Sequence, residues 1–75
     1  MRHVPKVNEV WCLGVVTRSA CVLYCITKAE RLVLDEKEYV VAEGVDLSTG
    51  VVKALSFQEG GTIWPSGWVG WSKVD

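Results

Sequence analysis

VVAEGVDLSTGVVKALSF, residues 40–57, reads as two strands folded back on a tight turn. Val40, Val41, Ala42 and Val45 make one apolar run, and Val51, Val52, Ala54 and Leu55 make the other. Between them lies Asp46-Leu47-Ser48-Thr49-Gly50. Asp and Ser open turns by bonding nearby backbone N–H groups with their side chains. Gly50 can take the positive φ that closes a three-residue hairpin loop with a bulge.

The same pattern recurs on both sides of this hairpin. Arg31-Leu32-Val33-Leu34 and Glu38-Tyr39-Val40-Val41 flank the polar Asp35-Glu36-Lys37, which suits a second tight turn. Residues 51–57 return through Gln58-Glu59-Gly60-Gly61 into Thr62-Ile63-Trp64, a third. Residues 10–16 and 20–26 are rich in Val, Ile, Tyr, Trp and Cys and read as strands around Thr17-Arg18-Ser19. Turn signals at this spacing predict an all-β domain, a small antiparallel meander or barrel of five to six strands. It occupies residues 7–75, after a flexible tail at residues 1–6 marked by Pro5.

One segment carries a competing pattern. Val22, Cys25, Ile26, Ala29, Leu32 and Val33 fall on one helix face, and Thr27-Lys28-Ala29-Glu30 matches a capping box. The alternative is therefore an α+β chain, β-rich with one helix within residues 19–35.

Composition narrows the function classes. Of 75 residues 49% are hydrophobic and 23% charged, which excludes a disordered or low-complexity chain. A domain this short has a small core, yet 14 valines leave few charges to coat the outside. Self-association or a protein partner is expected from that excess. Residues 10–26 are the most membrane-like stretch, but Arg18 interrupts them and neither half approaches the ~20 apolar residues of a spanning helix. No signal peptide is legible at the N-terminus. Three cysteines, Cys12, Cys21 and Cys25, are an odd number, which argues against a secreted disulfide framework and for a cytoplasmic chain with buried thiols.

Catalytic and metal-binding patterns are missing. His3 is the single histidine and lies in the expected tail. On a strand, Cys21 and Cys25 stand ~13 Å apart, too far to share a zinc ion. Asp35, Glu36 and Glu38 surround Lys37 as a solvated turn, and Gly60-Gly61 precedes neither the Lys nor the helix start of a phosphate loop. No catalytic residue, metal or cofactor is assigned.

The unusual segment is Ile63-Trp64-Pro65-Ser66-Gly67-Trp68-Val69-Gly70-Trp71, with three of the four tryptophans. On an extended chain after Gly67, Trp68 and Gly70 face one side and Val69 and Trp71 the other. One strand of a small domain hides a single face, so Trp64, Trp68 and Trp71 are the candidate binding residues, while Trp11 reads as core. The expected function is a non-enzymatic interaction module that self-associates or docks a protein through this segment. A small-molecule binder or minor enzyme, its pocket lined by Trp68 or Trp71 between subunits, is the alternative from another class. Single-stranded nucleic acid is a third, disfavoured because residues 38–75 carry two basic and five acidic residues.

Overall fold

The hairpin of residues 40–57 forms as the sequence implies. In the computed structural model, which describes residues 3–14 and 21–74, it joins strand β3 (Lys37–Asp46) to β4 (Val52–Gln58). Asp46 Oδ1 accepts from the Ser48 N–H at 2.8 Å and from the Ser48 hydroxyl at 2.6 Å, and Gly50 sits at φ +75°. These bonds, from the Ser48 hydroxyl and then its N–H, hold the Asp46 carboxyl below the usual range. The loop is one residue longer than expected: Asp46 and Val51 close it around residues 47–50, with the Asp46 N–H donating to Val51 O at 2.9 Å.

Three further strands complete one open antiparallel sheet: β1 (Val10–Leu13), β2 (Val22–Leu34) and β5 (Trp71–Val74). Their order is β4-β3-β2-β1-β5, so the first four strands are a meander and the fifth returns beside the first. The fold is all-β, as the turn spacing predicts. The alternative helix within residues 19–35 is overturned: residues 22–34 are a single strand. Its helical look comes from a bulge between Ile26 and Lys28, where pairing with β3 slips by one residue. The slip breaks the period of two, so Tyr24 and Ile26 point inward before it and Ala29 after it. Thr27, the supposed cap, donates its hydroxyl to Glu43 O at 3.2 Å across the bulge. Thr17-Arg18-Ser19, read as a turn, lies outside the described residues.

Two other expectations change. Thr62-Ile63-Trp64 is not a strand; residues Gly61–Ile63 form one 3₁₀ turn. Residues 3–6 of the supposed tail are docked, with Pro5 fully buried and Val4 against the core.

Along β3, Glu38, Val40, Ala42, Gly44 and Asp46 face inward in strict alternation. Val40 and Ala42 share a core with Leu55 and Phe57 of β4, Tyr24 and Ile26 of β2 and Trp11 of β1. A Cβ at Gly44 would lie 2.6 Å from Leu55 Cδ1, so β2 and β4 close over a position that admits no side chain. No helix among the described residues is long and apolar enough to cross a membrane.

The β2–β3 turn has two central residues, Asp35 at φ +50° and Glu36 at φ +66°, between Leu34 and Lys37. Two positive φ values suit the right-handed twist of the flanking strands, but a Glu there works against its own Cβ. Glu36→Gly is expected to raise stability by about 1 kcal/mol in a denaturant titration.

Candidate functional site

The tryptophan-rich segment is a pair of turns, and that decides where its rings go. Trp64-Pro65-Ser66-Gly67 makes the first: Pro65 presets its φ, and the Gly67 N–H donates to Trp64 O at 2.9 Å. Gly67 takes φ +82°. Trp68-Val69-Gly70-Trp71 makes the second, closed by the Trp71 N–H on Trp68 O at 3.2 Å with Gly70 at φ +78°. Ser66 ties them together, its hydroxyl donating to Trp71 O and accepting from the Trp68 N–H at 3.2 Å.

The chain after Gly67 is therefore not extended, and Trp68 and Trp71 do not fall on opposite faces. Both enter the core, at 0% and 3% exposure. Their indole N–H groups are satisfied inside the chain, Trp68 Nε1 donating to His3 O at 2.8 Å and Trp71 Nε1 to Ser56 O at 3.0 Å. The expectation that one of them faces a partner or lines a pocket is corrected by this geometry. Phe57 lies among them, stacked on Trp71 at 4.2 Å and meeting the edges of Trp11 at 5.3 Å and Trp68 at 6.2 Å. Trp11 is core, as expected.

Trp64 is the candidate left at the surface, 39% exposed, beside Ile63 at 86%. Its ring lies against Gly60, where a Cβ would come within 2.2 Å of Trp64 Cδ1. Gly60 thus gives the indole a flat backbone bed and leaves its other side outward. The sequence shows Gly60-Gly61 plainly, but only the fold shows that the glycine seats the tryptophan.

At the opposite end of the chain is a second polar cluster, one that carries no signal in the sequence. Glu9 Oε1 accepts from the Lys6 N–H at 2.8 Å and from Trp11 Nε1 at 3.1 Å, and His3 Nε2 donates to Glu9 Oε2. Partial burial pushes the Glu9 carboxyl up, but the bonds from His3, Lys6 and Trp11 outweigh it and hold it below the ordinary range. The cluster fixes the segment that carries His3 O to Trp68. It binds residues of this chain to one another through a single carboxylate.

The cysteines are not three buried thiols. Cys12 and Cys21 form a disulfide with Cα atoms 5.9 Å apart, and Cys25 is free and half-buried. Cys12 is fully buried on the face of β1 opposite Trp11, and the bond ties β1 to the residue that precedes β2. Closing a loop of nine residues' separation stabilises a fold by ~2–3 kcal/mol. A shallow open cleft beside it is lined by Cys21, Val22, Leu23, Leu47 and Ser48, and Ser48 there is already committed to Asp46. Among the described residues no group of three His, Cys, Asp or Glu side chains is placed to hold a metal.

No protein-family model, curated protein or solved structure matches the chain.

The Glu9 shift makes a signed statement about acid. A carboxyl whose pKa is lower folded than unfolded adds stability above its unfolded value, and that stability is lost as pH falls through the folded value. Glu9→Gln is expected to cost on the order of 1–2 kcal/mol at neutral pH and to flatten the loss of stability below about pH 4. Denaturant titrations at pH 7 and pH 3 measure both.

Proposed function

We propose that this chain is a non-enzymatic interaction module that docks a protein partner through Ile63 and Trp64. The observation that carries the reading is the unequal fate of the tryptophans: three indoles build the interior, and the fourth is laid flat on Gly60 beside an exposed isoleucine. An indole fixed in place removes a large apolar area from water at little cost in side-chain entropy, which is why tryptophan anchors interfaces. Trp68 and Trp71 serve the site from below, by rigidifying the turns that present Trp64.

Nothing favours the small-molecule or enzymatic alternative, whose pocket needed Trp68 or Trp71 at the surface. Nucleic acid gains no support either, since Glu59 adjoins the platform and the C-terminal half is acidic. The cytoplasmic placement belongs to the proposal with one condition: a reducing cytoplasm opens the Cys12–Cys21 bond, so there the module works as its dithiol.

The test is a photo-crosslinking residue at position 64 in producing cells, with position 53 on exposed β4 as the control. The expected result is one discrete adduct at 64 that Ile63→Asp abolishes and that is absent at 53. No adduct at 64, or the same adducts at both positions, contradicts the reading.

A further inference from the structure

β2 and β3 run past the rest of the sheet. β2 has 13 residues, but β1 pairs only with residues 22–25. Asn8 and Glu9 extend that side by one step, the Asn8 N–H donating to Ile26 O and the Ile26 N–H to Glu9 O, each at 2.8 Å. Asn8, at φ +75°, then turns the chain away toward Pro5 and the core. Beyond Ile26 no described strand pairs with this side of β2.

The ladder fixes which groups are left there. Leu34 and Lys37 close a two-residue turn, so Leu34, Leu32, Glu30 and Lys28 exchange their backbone bonds with β3 in alternation. The N–H and C=O groups of Ala29, Arg31 and Val33 therefore point out of the open edge. Around them Leu32, Val33 and Leu34 are exposed, Val33 by 62% and Leu34 by 58%. An edge of this kind is a template for another strand.

We propose that this edge pairs antiparallel with the same edge of a second copy of the chain about a two-fold axis, Arg31 opposite Val33 and Leu32 opposite Leu32. Self-complementarity selects both the occupant and the register. Registers that keep outward-pointing groups opposed differ by steps of two residues. Shifting the incoming strand toward β1 drives it into the chain at Asn8 and Glu9. The next register sets Glu30 against Glu30 and the next sets Arg31 against Arg31; like charges directly opposed are destabilising. The outermost leaves only Val33 opposite Val33 to exchange ladder bonds, because the residue then facing Arg31 is Asp35, which lies in the turn. The one that remains joins Leu32 to Leu32 and lays Lys28 alongside Glu36 of the second copy, twice by symmetry. Each Arg31 enters it already paired with its own Glu38. The Arg31–Val33 pairing, made twice, satisfies the groups of both residues in both copies and covers the leucines at the hairpin tip. This surface is separate from Ile63 and Trp64 and stands or falls independently of them.

Sedimentation velocity on the whole chain from about 10 µM to about 1 mM tests it, with emission and circular dichroism confirming that each variant is folded. The wild type is expected to show a concentration-dependent dimer. Val33→Pro deletes an outward N–H and no ladder bond, and is expected to weaken that dimer at least about tenfold. Val52→Pro does the same on the open edge of β4 and is expected to leave it intact. Lys28→Glu is expected to weaken the dimer and Lys28→Glu with Glu36→Lys to restore it, which keeps the test decisive if Val33→Pro does not fold. A wild type monomeric at the highest concentration overturns the proposal. So does a dimer indifferent to Val33→Pro, or one that ignores the charge swap.

Discussion

The Phe57 ring stacks on Trp71 and meets the edges of Trp11 and Trp68, so one side chain of β4 touches an indole from β1, from β5 and from the turn between β4 and β5. Those contacts join the two ends of a sheet that hydrogen bonding leaves open. Aromatic pairs in offset-stacked and edge-on arrangements contribute about 0.5–1.5 kcal/mol each beyond the area they bury. A chain of this size has few other sources of cohesion. The indole N–H groups extend the effect, since Trp71 Nε1 bonds to the outer edge of β4 at Ser56 O and Trp68 Nε1 to the N-terminal segment at His3 O. One cluster thus holds β4, β5 and the segment of His3 together.

What the cluster encloses determines what is left outside. The Val69 N–H and the Glu59–Trp68 bridge cover half of β4's free edge, and the Asn8–Glu9 segment covers β2 only as far as Ile26. The β2–β3 hairpin projects beyond that, carrying apolar residues at its tip. The turn that buries Trp68 and Trp71 leaves Trp64 upward on Gly60. The apolar excess of the composition is therefore divided between a packed aromatic interior and an exposed remainder. In that remainder an indole platform and a strand edge stand out beside the apolar residues of the β3–β4 hairpin, Val41, Leu47, Val51 and Val52. The proposed docking of a protein partner rests on the indole platform, and the proposed pairing of two copies on the strand edge.

The sequence made the antiparallel β architecture legible because turn chemistry is local. Asp46, Ser48 and Gly50 act within five residues of one another, and so do Asp35 and Glu36. The long β2 was ambiguous because the bulge at Thr27 disrupts its alternation, and the pairing partner that creates the bulge lies 16 residues away at Glu43. The tryptophan segment misled for a related reason. Counting alternation after Gly67 assumes an extended backbone, whereas Gly67 and Gly70 both take positive φ and swing Trp68 and Trp71 to the same side. The docking of His3 and Pro5 and the Cys12–Cys21 bond depend on contacts between distant strands, and no periodicity announces such contacts. Of the three candidate residues only Trp64 keeps the exposure that a binding role needs.

Hydrogen exchange of the four indole N–H protons, followed by nuclear magnetic resonance at neutral pH, addresses the aromatic interior directly. Burial and an internal acceptor slow exchange to the rate of local or global opening. The protons of Trp11, Trp68 and Trp71 should therefore exchange slowly and that of Trp64 at close to the free rate. Fast exchange at Trp68 or Trp71 would mean that the rings are not packed around Phe57 and do not tie β4 to β5.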